Sequence, residues 1–215
     1  MNYFEVAFDI LYLVSVISLS IIIFTRGIKK HHKATMLFGI MGFLLGFGDS
    51  FHLIPRIIAH LTTGLEDYQM ALGIGKLITG ITMTIFYYLI YRYYVLLTEK
   101  DSQTIHTTII TLMIIRFILL ALPGNDWINN GNSLFYGILR NIPFAILGSL
   151  IVVLFLKIGK EKEYRLFKKM GVWIIVSFVC YTIVVVGSGF IPVLGAFMIP
   201  KTIAYFIIIY IGFKN

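Results

Sequence analysis

The stretch MLFGIMGFLLGFGDSFHLIPRIIAHL, residues 36–61, decides the fold. A helix crossing the hydrocarbon core of a bilayer needs ~20 predominantly apolar residues. This run exceeds that length, and it carries Asp49, His52 and Arg56 within it. The three positions are spaced by three and then four residues, so they share one helical face. Gly39, Gly42 and Gly46 continue the face toward the beginning of the run, and small residues at such spacing let a neighbouring helix approach closely. The expectation is a helix 2 at the bundle centre, tightly packed in its first half and polar in its second.

Outward from helix 2 the pattern repeats. Residues 4–24, 70–97, 105–122, 133–157, 170–190 and 192–213 are further apolar runs, each of spanning length. The 215 residues are 59% hydrophobic and 13% charged, against roughly 25% charged in soluble domains. The expected fold class is therefore an all-α integral membrane protein, a seven-transmembrane-helix bundle forming a single domain over residues 1–215. Its short connections leave no room for a soluble catalytic or signalling domain, so any chemistry lies in or beside the bundle. The first run lacks the basic start and small-residue exit of a cleavable leader, and it is expected to stay as helix 1. Cys180, the single cysteine, lies among apolar residues and reads as a packing residue, which excludes thiolate metal sites and internal disulfides.

The net charge is +8 with histidines neutral, but its placement says more than its sum. Arg26, Lys29, Lys30 and Lys33 follow helix 1, Arg92 and Lys100 follow helix 3, KIGKEKEYRLFKK follows helix 5, and Lys214 closes the chain. The alternate connections HLTTGLEDYQ, LPGNDWINNGN and GSGF contain no lysine or arginine. The positive-inside rule then puts the N-terminus outside and the C-terminus in the cytoplasm. A multi-pass protein of the plasma membrane is the expected localisation, with membrane lipids as partners, a possible partner membrane protein, and no nucleic acid.

Five cations stand outside this scheme: Arg56, Lys76, Arg116, Arg140 and Lys201, each on a different helix. Given the orientation, all five fall in the outer half of the membrane. A charge at the bilayer centre costs about 2.5–3.5 kcal/mol even on the gentlest scale, so such groups face a partner or a watery cavity. Arg56, Lys76 and Arg116 are near enough to helix ends to snorkel to the interface. Arg140 and Lys201 are not, Lys201 being nine residues beyond Pro192 and hence ~13 Å into an expected helix 7. Asp49, the deepest opposite charge, is expected to pair with Arg56 or with Lys201 across the bundle. Prolines in LIPR, NIPF and MIPK accompany three of the cations, freeing carbonyls at Phe51, Leu139 and Ala196 toward a cavity. Helix 3, with Gly73, Lys76, Gly80, Thr84, Tyr87 and Tyr91 on one face, is expected to pack on helix 2. Helix 6 is the least polar and is expected to support the bundle without lining the site.

In outline, seven helices with a deep lysine in the last resemble a rhodopsin, but helix 3 offers Lys76 where rhodopsins place a carboxylate counterion. Seven-helix lipid hydrolases of the alkaline ceramidase type are similar in size, yet they hold zinc through several histidines, and here none follows His106. No family is assigned, no cofactor is expected, and Asp49 with His52 supplies at most two ligands where catalytic zinc takes three. The leading reading is a non-catalytic receptor or small carrier with an outward-facing polar pocket for a small anionic ligand or lipid headgroup. Arg56, Lys76, Arg116, Arg140, Asn141, Lys201 and Tyr205 are its candidate binding residues, above Asp49 and His52. The alternatives are an enzyme acting on an outer-leaflet lipid, with Asp49 and His52 as acid–base groups, and a structural membrane subunit.

Overall fold

The computed structural model describes residues 3–131, 133–187 and 189–214. Residue 132 of the fourth connection, residue 188 near the expected end of helix 6, and the chain ends lie outside the described residues. The described chain contains helices and no strand. Seven helices are long and apolar enough to cross a membrane: α1 (Tyr3–Lys29), α2 (Lys33–Leu61), α3 (Gln69–Thr98), α4 (Gln103–Ala121), α5 (Leu134–Ile158), α6 (Arg165–Gly187) and α7 (Met198–Lys214).

Each helix packs on its chain neighbours and α7 returns to α1, closing the ring, while α3 also touches α5. α1 and α2 meet closely. A Cβ on Gly39 would fall 2.7 Å from the Phe24 Cα, so only glycine allows this approach. Gly46 meets Val16 and Ile17 on the same helix, and Gly42 lies between Ser20 of α1 and Ile209 of α7. The turn between α1 and α2 is short because His31 takes a left-handed conformation at φ 50° and His32 caps α2, its side chain accepting from the Thr35 N–H. Between α2 and α3, Gly75 faces the backbone of Phe51 and His52, and Gly48 faces Thr82. The Phe51 carbonyl freed by Pro55 is therefore directed at α3.

Two helix boundaries differ from the sequence expectation in ways that matter. Residues 192–197 form a tight 3-10 segment, and α7 begins only at Met198. The apolar character of PVLGAF extended the hydropathy run without extending the helix. Lys201 thus sits in the first turn of α7, not ~13 Å along it, and Pro200 is a helix-start proline whose missing N–H costs nothing. α6 conversely begins at Arg165, five residues before its apolar run, inside the basic segment.

The connection after α4 is a built structure. Two 3-10 turns, Pro123–Asn125 and Trp127–Asn129, are joined by Asp126 at φ 53° and followed by Asn130 at φ 66°, residue types that tolerate the left-handed region. The Asn125 side-chain amide donates to the carbonyls of Leu119 and Leu122, at 2.7 and 2.9 Å. The Trp127 indole N–H donates to Leu120 at 3.0 Å. These contacts satisfy the last carbonyls of α4 and fold the segment back over the bundle, where the Trp127 carbonyl abuts Gly73 of α3.

Candidate functional site

A cavity of about 490 Å³ opens among α2 to α7 at the end of the bundle where the chain begins. Asp49, His52, Lys76, Arg116, Arg140, Asn141, Lys201 and Tyr205 all line it. They come from α2, α3, α4, α5 and α7, so the bundle brings together eight side chains that the sequence singled out separately. Arg56 is the exception.

Arg116 is the most deeply placed of the cations, 4% exposed. Its guanidinium carbon lies over the Phe144 ring, 3.6 Å from the centroid, and Phe144 is itself backed by Phe178 and Tyr87. A cation over a desolvated aromatic face gains about 2 kcal/mol. Its Nε and Nη1 are buried with no hydrogen-bond partner in the protein. Arg140 stacks on Trp127 at 4.6 Å and donates from Nη1 to the Asn125 Oδ1 at 2.8 Å. Asn125 thus joins the end of α4 to the cation on α5. Lys76 donates to the Asn130 carbonyl at 2.8 Å. Lys201 rests over the Tyr181 ring at 4.7 Å, and the Tyr181 hydroxyl donates to the Asn141 Oδ1 at 3.2 Å.

Opposite these four cations the cavity wall offers one carboxylate, Asp49. Its Oδ2 accepts a 2.6 Å hydrogen bond from the Tyr12 hydroxyl of α1. His52 is turned another way, its Nδ1 donating to the Leu72 carbonyl of α3 at 3.3 Å. Among the described residues no hydrogen bond joins Asp49 to His52, so the two do not form an acid–base dyad. Tyr205 closes the base of the cavity, its hydroxyl 3.0 Å from that of Tyr87.

Several expectations change. Arg56 does not line the cavity and does not pair with Asp49; it forms an ion pair with Glu5 of α1, which also faces His60 at 3.3 Å. Lys201 makes no direct ion pair with Asp49 among the described residues, although both line the cavity. Helix 6 is a wall of the site, contributing Ser177, Phe178, Tyr181, Val184 and Val185. Tyr12 and Tyr181 had no signal in sequence periodicity, because an aromatic residue in an apolar run reads the same whether it packs or binds, and Asn125 and Trp127 lie in a connection that has no periodicity to read.

Asp9 was also passed over. It is 5% exposed, one turn after Glu5, and its Oδ2 has no hydrogen-bond partner. Among the described residues no group of three or more His, Cys, Asp or Glu is placed to hold a metal ion. No family model, curated protein or solved structure matches this chain.

Proposed function

We propose that this is a multi-pass plasma-membrane protein, N-terminus outside, acting as a receptor or small carrier that holds an anionic ligand or lipid headgroup in the cavity. The observation that carries the reading is Arg116: a guanidinium buried against Phe144 in the cavity wall, with no carboxylate paired to it among the described residues. An oxyanion at the cavity edge of that guanidinium would supply the charge-assisted partner that arginine favours. Lys201, Arg140 and Lys76 give the same cavity a surplus of positive charge over Asp49, which an anionic ligand neutralises.

The test is thermal unfolding of the purified protein in maltoside micelles, titrated with inorganic phosphate and with octyl phosphate, octanol serving as the uncharged control. A ligand that binds only the folded state adds about 2.7 kcal/mol at a hundredfold excess over its Kd. At least one of the two phosphates should raise the melting temperature saturably, octanol should not, and Lys201→Met should abolish the shift while remaining folded. Absence of a shift with both phosphates, or a shift unaltered in Lys201→Met, refutes the proposal.

A further inference from the structure

The cavity wall changes character along each of three helices toward its mouth. On α5 the lining residues run from Phe144 through Asn141 and Arg140 to Gly137 and Leu134. On α6 they run from Ser177 and Tyr181 to Val184 and Val185, with Phe190 just beyond the helix. On α7, Met198 stands at the start of the helix, one turn before Lys201 and Thr202. The polar groups therefore form a belt at one level, and the side chains nearer the helix ends on this flank are apolar apart from Ser133, the cap of α5.

The two flanks of the mouth are unlike. The flank beside α3 and α4 is covered by the 123–131 segment, held by Asn125 and Trp127 as described above. The flank between α5 and the α6–α7 connection ends in Leu134, 44% exposed, and Phe190, 75% exposed, both of which also line the cavity. A small hydrophilic anion gains nothing from such a rim. A molecule with an apolar stem does.

Gly137 marks where the stem would pass. It lines the cavity between Leu134 and Arg140, and a Cβ built there meets only the Arg140 Nη2, at 3.8 Å. The other cavity-lining glycine of the helices, Gly80, is already within 3.0 Å of Leu120 by the same measure. The backbone of α5 thus leaves open space directly beside the cationic belt, on the flank whose rim is apolar. A cavity of about 490 Å³ is of the size that holds one drug-sized molecule.

Resting on the anion-binding reading above, we infer that the ligand is a single-chain amphiphile. Its oxyanionic head lies on Arg116 and Lys201, and its apolar stem runs past Gly137 and Val185 to leave between α5 and Phe190. Phosphate and carboxylate heads share this chemistry, and comparison of alkyl phosphates with fatty carboxylates of equal length distinguishes them.

The experiment measures the binding of ethyl, butyl, hexyl and octyl phosphate, with inorganic phosphate as the stemless reference, to the full chain in maltoside micelles. Affinity should rise about fourfold per methylene over the first carbons, the ~0.8 kcal/mol of a buried CH2 converted at 1.4 kcal/mol per tenfold. Gly137→Leu fills the open space and should flatten the series, leaving octyl phosphate no better than ethyl. The variant sees the same micelles, so the difference between the two series belongs to the cavity and not to partitioning. Phe190→Ser, at an exposed rim position that cannot unfold the bundle, should lower octyl phosphate affinity severalfold and provides the same readout should Gly137→Leu misfold. A wild-type series in which inorganic phosphate binds as well as octyl phosphate overturns the amphiphile inference and leaves the anion reading standing. A chain-length dependence that survives in both variants overturns the route. Failure of every phosphate to bind removes both inferences together.

Discussion

Arg116→Met separates a binding residue from a structural one by the sign of its effect on stability. Methionine keeps an unbranched stem of similar shape and removes the charge. Burying that charge costs up to about 2.5–3.5 kcal/mol in a membrane helix, and the Phe144 contact at 3.6 Å returns about 2 kcal/mol. With no further protein partner for Nε and Nη1, the balance in the ligand-free protein is ~1 kcal/mol against arginine, so the variant should be slightly more stable. A difference of that size moves the melting temperature of a chain of this length by roughly 2–4 °C. The assay is thermal unfolding in anion-free buffer, followed by addition of octyl phosphate, which should stabilise the wild type and leave Arg116→Met unmoved. Arg116→Lys keeps the charge but loses the planar fork, and it should show a weakened response. A fall in ligand-free stability of more than ~3 kcal/mol, the cost of stranding a buried partner, would mean that the guanidinium holds the fold together, and the reasoning would be wrong.

Gly75→Ala should destabilise by about 1–3 kcal/mol as an overpacked contact, since its Cβ would lie 2.6 Å from the His52 Cα and backbone must move; a melting temperature equal to wild type would refute the close α2–α3 approach. Tyr12→Phe removes the 2.6 Å donor to Asp49 and should cost about 1.5–3 kcal/mol if the carboxylate is charged, a loss that adding Asp49→Asn reduces in a double-mutant cycle. Glu5→Gln and Arg56→Gln should each lower stability and couple by roughly 0.5–3 kcal/mol, with octyl phosphate affinity unaffected because their ion pair lies outside the cavity lining. A cysteine at Lys162 should react with an impermeant maleimide only after the cells are opened, and labelling of intact cells would reverse the orientation assigned to the cavity.

Apolar runs of spanning length are visible to anyone counting residues, and all seven helices fall where such runs lie. Their ends are less legible, because a helix continues past the hydrocarbon into residues that hydropathy scores as loop. α1 runs on through Arg26 to Lys29, where cations near a C-terminus complement the helix dipole, and Pro192–Phe197 coils tightly despite being apolar. Lys76, Arg116, Arg140 and Lys201 were legible because a charge in an apolar run demands a reason. Their cushions were not: Phe144 and Tyr181 each carry a cation, yet in an apolar run an aromatic ring is the default packing residue, and Trp127, which carries Arg140, lies in a connection. The segment 123–131 was invisible as a cap for a different reason. Its contacts are side chain to helix end, a register that no periodicity encodes.

The polar face of α2 shows why one stripe need not mean one partner. At about 100° per residue, Gly42, Gly46 and Gly39 lie some 20–80° to one side of Asp49, while His52 lies roughly 60° to the other. A face that broad reaches two neighbours. The glycines pack on α1, and His52 meets α3 and the cavity. Arg56 falls between them, and its long side chain goes to the acid that α1 offers at Glu5. Asp49 sits on the seam itself, accepting from Tyr12 of α1 with one oxygen while its residue lines the cavity that Lys201 also lines. A carboxylate in that position answers both to the packing of α1 on α2 and to the charge of whatever occupies the cavity.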